Sequence, residues 1–320
     1  MNLNYKTKDL AIIIPTKDRP GEVKRHLESI SDQGCSIGRI IIVASGYDIK
    51  NMVIKFRKNL PVEYYRSEPG QIRQRNLGIK KLDSSTKLVA CMDDDVTYHK
   101  DAIKEMIGLW NNIGENTAGV GFNIVNLPDT NHNFIRGVLG FSSKMPGRVL
   151  RSGFNTSISN VSENILVEWL NGGSSVWKQE VLLKFPLKEI NTRWAVCEDL
   201  IFSYPLGKIH PLYICANAKV EIDEEIVDRS TYDFYIYRGT AEYLWKLYFV
   251  MQNKDLSAYS FLLNKLLYCI IQLVKGCIFL DKSKIYTVIG ILKAFFKSLK
   301  LLFGFQTLDN YKFEYIDSLD

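Results

Sequence analysis

Four short apolar runs fix most of what this chain can become: LAIIIP (10–15), RIIIVAS (39–45), VEYYR (62–66) and LVACM (88–92). Each is too short for a core helix of ordinary length, and the first two are dense in isoleucine and valine. The first two read as buried strands, and VEYYR and LVACM as the third and fourth strands. Helical segments separate them. Pro20 opens the first, with Val23, Leu27 and Ile30 on one face; 49–59 forms the second; GQIRQRNLGIKKL (70–82) is the third, entered through Gly70. Asp101 to Trp110 is helical again after the fourth strand. Strands alternating with helices predict a parallel α/β sheet, and ligands of such sheets sit at the carboxyl ends of the strands. Three polar clusters fall there: Thr16–Arg19, Ser45–Asp48 and Asp93–Asp95.

The rest of the chain is less regular. Residues 119–168 are strand-like and rich in loops. WLNGGSSVWKQEVLLKF (169–185) places a Gly-Gly turn before a helix. RWAVCEDLIFSYPLGK (193–208) sets Glu198 and Asp199 at the head of an apolar helical segment, and LYICANAKVEID (212–223) alternates as an edge or returning strand. From about 231 to 305 the pattern is helical. A length of 320 residues suggests one large domain or two ordinary ones, and 46% hydrophobic content supports a real core. The six cysteines (35, 91, 197, 215, 269, 277) contain no CxxC and the four histidines are dispersed, which argues against a zinc site or a disulfide framework and for reduced, cytosolic thiols. The apolar run at the N-terminus spans six residues at most, too few for a signal-peptide core.

Asp93, Asp94 and Asp95 pose a physical problem. Three carboxylates at the end of a buried strand repel one another and resist ionisation, so a positive group is expected beside them. The order of the motifs answers it by resemblance. PTKDRP, GQIRQRN, MDDDV, NGGSSVWKQEV and CEDLIFSYPLG, running in that order through residues 9–230, resemble family 2 glycosyltransferases of the GT-A fold, inverting enzymes that use nucleotide-sugar donors in bacterial polysaccharide assembly. The resemblance implies a Rossmann-like, mostly parallel sheet flanked by helices over 1–230, with a nucleotide-sugar half (about 1–121) and an acceptor half (about 122–230), followed by a helical module over 231–320.

The same resemblance assigns roles. Asp93 and Asp95 are the DXD pair, with Asp95 on a Mn²⁺ or Mg²⁺ ion, Asp93 on the ribose or a metal-bound water, and Asp94 as the middle residue. Oxygen ligands suit a hard cation that neutralises a leaving diphosphate. Pro15, Thr16, Asp18 and Arg19 cup the nucleoside. Arg75 and Asn76 lie near the diphosphate, with Arg73 sharing the work. Gly172 and Gly173, after Asn171, let the backbone approach the donor sugar. Asp199 is the base that takes the acceptor proton, Glu198 holds an acceptor hydroxyl or a loop, and Trp169 and Trp194 either stack on sugar rings or pack in the core. Where relatives carry base-reading acids this chain has VASGYD, so Ser45 or Asp48 substitutes, and a UDP-sugar remains the expected donor. Where relatives carry a metal-binding His this chain has KVEIDEEIVDR, so Asp223 or water stands in, and Arg229 resembles a basic residue that steadies the diphosphate.

The net charge of +6 has one source. Between 256 and 305 there are seven lysines (265, 275, 282, 284, 293, 297, 300) and one acid, Asp281. The basic excess is therefore no nucleic-acid groove spread over the protein. The longest charge-free run in 265–305 is nine residues (266–274), short of a spanning helix. Lys293, Lys297 and Lys300 share one helical stripe, as do Lys265, Gln272 and Lys275, beside broad apolar faces. Two readings follow: interfacial helices on an anionic leaflet, or helices packed on each other, on the catalytic domain or on a second subunit. The first agrees with an acceptor that is a lipid-linked capsule or O-antigen oligosaccharide at the cytoplasmic face of the inner membrane; a homo-oligomer stays open. The rivals to this function are a nucleotidyltransferase on a similar sheet, for which TKDRPGE is a poor signature loop, and a non-catalytic membrane-docking scaffold, against which the intact DXD and ED motifs argue.

Overall fold

A computed structural model describes residues 4–127, 136–137, 139–189, 196–223 and 231–312. The chain forms two compact units that interleave in sequence. One comprises Met1–Asp129, Ser157–Glu189 and Phe202–Glu225; the other comprises Thr130–Thr156, Ile190–Ile201 and Ile226–Asp320.

The first unit is built on a nine-stranded sheet in the order β3-β2-β1-β4-β8-β6-β9-β5, with β7 also paired to β9. β1 (Leu10–Lys17), β2 (Arg39–Ser45), β3 (Val62–Arg66) and β4 (Leu88–Met92) are parallel, and α1 (Pro20–Ser31), α2 (Lys50–Ile54) and α3 (Gln71–Lys80) connect them. This half follows from the alternation of apolar runs and helices. Beyond β4 the sheet is mixed. β8 (Ser174–Lys178) inserts antiparallel between β4 and β6 (Gly119–Ile124). β6 runs parallel to β9 (Leu212–Ile222), while β5 (Val96–Tyr98) and β7 (Ile165–Val167) run antiparallel to it. Half of the eight strand pairings are therefore antiparallel, against the mostly parallel expectation. The sequence pattern placed a helix after Asn171–Gly173; SSVWK is a strand there, and the helix α5 (Gln179–Lys184) comes after it. β9 is no edge strand, since it pairs with three others. α4 (Ala102–Asn112) covers β9 and β6, with Trp110 fully buried.

These pairings place the polar ends. Met92 of β4 pairs with Ser174 of β8, so the chain just after β4 meets the chain just before β8. Val96 of β5 pairs with Ile222 of β9, and the Asp223 amide donates to the Asp95 carbonyl at 2.9 Å.

In the second unit α7 (Tyr232–Gln252), α8 (Ala258–Ile278) and α9 (Lys282–Leu302) replace the continuous helical pattern of the sequence. Ser257 caps α8 by accepting from Ser260 N, and Asp281 caps α9 by accepting from Ser283 N. α7 and α9 cross closely: a Cβ on Gly290 would lie 2.2 Å from the Ile236 carbonyl, and Thr240 Oγ1 donates to the Gly290 carbonyl at 3.0 Å. The head of α6 (Glu198–Gly207), residues 198–201, belongs to this unit.

Candidate active site

The three aspartates after β4 are held by separate partners. Asp94 is the deepest, 5% exposed. Its Oδ2 accepts from Thr16 Oγ1 at 2.5 Å and its Oδ1 from Arg19 Nη1 at 2.9 Å. The other arm of Arg19 reaches Asp95 Oδ2 at 3.1 Å. Asp93 Oδ1 accepts from Gln71 Nε2 at 2.7 Å and from Arg75 Nη2 at 2.6 Å. Asp94, expected as the middle residue of a pair, is thus the clamp that ties the tip of β4 to the tip of β1. Burial pushes its pKa up to about 7 against the pull of Thr16 and Arg19, and its neighbours Asp95 and Asp93 push the same way. Burial, with Asp93 next, also raises Asp95. Two arginines supply part of the positive charge that the sequence demanded.

α3 carries more of the site than its arginines. Gln71 and Arg75 are four residues apart on one helical face, which is why both reach Asp93. Gln74, buried, donates to the Thr16 carbonyl at 2.8 Å and the Val43 carbonyl at 2.6 Å, fastening the helix to the ends of β1 and β2. Neither glutamine was singled out in the sequence, although their spacing with Arg75 was visible. Asn76 donates to the Leu187 carbonyl. Arg73 does not join the cluster; it pairs with Glu189 at 3.3 Å, both half in water.

The turn before β8 completes the strand-end cluster. The Gly173 carbonyl accepts from Asp93 N at 2.8 Å, and its own amide donates to Asn171 Oδ1 at 2.9 Å. A Cβ on Gly173 would fall 1.9 Å from Asp93 Oδ2, so only glycine fits. Asp18 Oδ1 accepts from Tyr47 N at 2.6 Å, and Arg66 donates to the Gly46 and Tyr47 carbonyls, which fixes the VASGYD loop. Asp48 is engaged by the Tyr64 hydroxyl at 2.7 Å. Ser45 is 1% exposed and offers no group to a nucleotide base.

One further assignment changes, and one open alternative closes. The Asp223 backbone joins Asp95, but its carboxylate is held by Arg25 Nε and Nη2 at 2.8 and 2.6 Å. Among the described residues no three His, Cys, Asp or Glu side chains converge as a metal cage. Trp169 is buried, with little ring face left for a sugar. Trp194 and Arg229 lie outside the described residues. Glu198 and Asp199 form the first turn of α6; Asp199 Oδ1 accepts from Leu200 N at 2.7 Å, and Cys197 before them has φ of 70°.

The glycosyl transferase family 2 model matches residues 11–158. No curated protein matches the chain by sequence. Among solved structures, mannosyltransferase PcManGT from Pyrobaculum calidifontis, in complex with GDP-Man and Mn²⁺, aligns with a TM-score of 0.57 at 12% identity, covering 91% of this chain and 88% of that chain. S. aureus TarS 1-349 aligns at 0.50 and 13%, covering 97% and 89%. GalNAc-T7 with UDP, GalNAc and Mn²⁺ aligns at 0.51 and 13%, covering 75% and 50%. Against the longer S. aureus TarS chain (TM-score 0.48) this chain spans 42% of that chain's length. At such identities the likeness concerns the fold, which is the GT-A arrangement of a mixed sheet flanked by helices.

Proposed function

We propose that this chain, whose residues 11–158 match the glycosyl transferase family 2 model, carries out a metal-dependent, inverting transfer of a sugar from a nucleotide diphosphate donor, with a UDP-sugar as the first choice, to a glycan acceptor. The observation that carries this reading is the strand-end cluster: consecutive aspartates braced by Arg19 and Arg75, with the Gly173 backbone against Asp93.

The donor set fits a hard divalent cation, because Asp93 and Asp95 offer carboxylate oxygens and the buried charge at Asp95 calls for a counter-ion. Mn²⁺ or Mg²⁺ held by Asp95 and Asp93 would supply Lewis-acid charge for the departing diphosphate. Arg75 and Gln71 orient Asp93, and Arg19 orients Asp95. Asp199 takes the proton of the attacking acceptor hydroxyl. The new C–O bond forms as the anomeric carbon–phosphate oxygen bond breaks, and the diphosphate leaves with the electron pair. A positioned base of this kind contributes roughly 10²–10⁴-fold.

The second unit supports an acceptor at a lipid surface. Exposed apolar residues of α8 (Tyr259, Leu263, Leu266, Ile270, Leu273) recur at i, i+4, i+7, i+11 and i+14, and those of α9 (Ile285, Ile289, Leu292, Phe296) do likewise. Lys275, Lys282, Lys293, Lys297 and Lys300 are exposed beside them. Contrary to the sequence expectation, α8 is long and apolar enough to cross a membrane by length and composition, with a mean hydropathy of 1.6 over its best window. Lys265, expected on the basic stripe, instead lies buried against Glu242 of α7 at 2.9 Å. An ion pair in mid-helix suits a helix lying at an interface better than one in hydrocarbon. We take this face to rest on an anionic leaflet, the cytoplasmic one if the acceptor is lipid-linked, where each lysine adds about 1 kcal/mol.

The test is a screen of nucleotide sugars for donor hydrolysis and transfer, with UDP binding measured in parallel. Asp199→Asn is expected to lose transfer by at least about 10²-fold while keeping UDP affinity. Asp95→Ala is expected to lose the Mn²⁺-dependent part of UDP binding. Undiminished transfer by Asp199→Asn, or equal UDP binding by Asp95→Ala with and without Mn²⁺, sinks the proposal.

A further inference from the structure

The second unit holds a buried cation that the proposed chemistry has not used. Lys246 of α7 is 9% exposed. Its Nζ donates to Asn155 Oδ1 at 3.0 Å, and among the described residues no carboxylate lies within ion-pairing distance. Its stem runs past Gly153, and the Phe249 ring centre is 5.9 Å from Nζ. Asn155 sits in the short bridge to Val149, and its Nδ2 has no protein acceptor among the described residues. An ammonium with three donors and a carboxamide with two thus share one hydrogen bond and leave the remaining N–H groups unspent.

This arrangement is costly unless something completes it. A buried ammonium is tolerated when an anion or several acceptors face it. The nearest acid on its own helix, Glu242, is committed to Lys265, which holds it below its ordinary pKa. Lys246 also weighs on Glu242, as does Arg238, so this part of the unit gathers three cations around one carboxylate. Cys197 feels Lys246 together with Asp199, Glu242 and Glu198, so the cation stands within electrostatic reach of the ED motif inside the same unit.

We infer that Lys246 and Asn155 form an oxyanion subsite for the acceptor, which takes a phosphate or carboxylate oxygen carried by the molecule that receives the sugar. The inference rests on the reading of Asp199 as the acceptor-side base. Lys246 Nζ and Asn155 Nδ2 donate to the oxyanion, and the incoming charge completes the buried ammonium. Two sources carry such a group: the phosphate of a carrier lipid, and an acidic sugar of the glycan.

The full chain, saturated with UDP and Mn²⁺ so that the donor side is filled, is titrated calorimetrically with geranyl phosphate, geraniol, inorganic phosphate and glucuronate. Geranyl phosphate is expected to bind at least tenfold tighter than geraniol. Lys246→Met is expected to lose at least tenfold of that affinity, Lys246→Arg to keep most of it, and both to keep UDP affinity. Binding of geranyl phosphate well above inorganic phosphate and glucuronate assigns the lipid carrier; glucuronate binding that Lys246→Met abolishes assigns an acidic glycan. Thermal melts separate a structural role, because Lys246→Met is expected to hold or raise Tm in the ligand-free protein. The inference is overturned if no anionic probe binds the parent, if geraniol binds as well as geranyl phosphate, or if Lys246→Met binds the anions like the parent. UDP binding is read separately, so its absence counts against the donor reading and leaves the anion titration interpretable.

Discussion

His26 has no exposed surface, and the nearby Asp93 backbone and carboxylate offset its burial only in part. It meets Tyr98 edge to face, ring centres 5.5 Å apart. Burial pushes its pKa down to about 4. The unfolded chain therefore binds a proton here that the native chain refuses between about pH 6.5 and 4. The stability at stake is whole above pH 6.5 and is lost as pH falls toward 4. His26→Phe keeps the ring and removes that penalty, so it should raise Tm more at pH 5 than at pH 8; an equal rise at both contradicts the assignment. Asp93 depends on a different intolerance. Gly173→Ala forces a methyl into its carboxylate, and calorimetry with UDP and Mn²⁺ should show at least about tenfold weaker binding with the fold retained. Of these residues the aspartates and glycines were legible in the sequence because their chemistry is odd for a strand end. His26 was not, since nothing local marks a histidine on an amphipathic helix as sealed from water.

α7 and α8 are joined by Glu242 and Lys265. Burial alone would lower the pKa of Lys265, yet Glu242 outweighs it and raises it. The two ends of the pair differ, because Lys265 is buried while the Glu242 side chain is 38% exposed. Removing the acid orphans a buried ammonium; removing the base leaves a carboxylate that water reaches. Urea unfolding should therefore show Glu242→Gln costing about 3 kcal/mol and Lys265→Met nearer about 1 kcal/mol. The reverse order would mean that Lys265 is solvated. The spacing of Lys265 with Gln272 and Lys275 suggested one wet stripe; its partner lies 23 residues earlier, on another helix, which no helical period reveals. The strands divide the same way. β1, β2 and β4 could be read because parallel strands buried on both faces are continuous apolar runs. β8 could not, because Ser174 and Ser175 are buried polar residues whose place comes from pairing with β4 rather than from their own pattern.

For the molecule as a whole, the excess charge and the uncovered apolar stripes occur on the same two helices. Vesicle flotation of the intact chain should therefore show more binding to phosphatidylglycerol vesicles than to phosphatidylcholine ones, with most of the difference lost at 0.5 M salt. Replacing Lys293, Lys297 and Lys300 by Gln should cut it by about 3 kcal/mol in partitioning free energy, some two orders of magnitude. Partitioning indifferent to lipid charge would point to packing against protein instead. Deleting these helices is a poorer experiment, since it strips α9 from its close crossing with α7.

The insertion of β8 beside β4 has a consequence for synthesis. The two strands that bring Asp93 and Gly173 together are separated by the whole of 93–173, so a growing chain carries β4 with one edge unpaired until residues 174–178 have emerged. That bare edge, flanked by a strand of isoleucines, is a template for foreign strands. A product truncated at residue 158, where the family match ends, should accumulate as aggregate. Ribosome-bound intermediates of this protein should engage chaperones most strongly over that same interval.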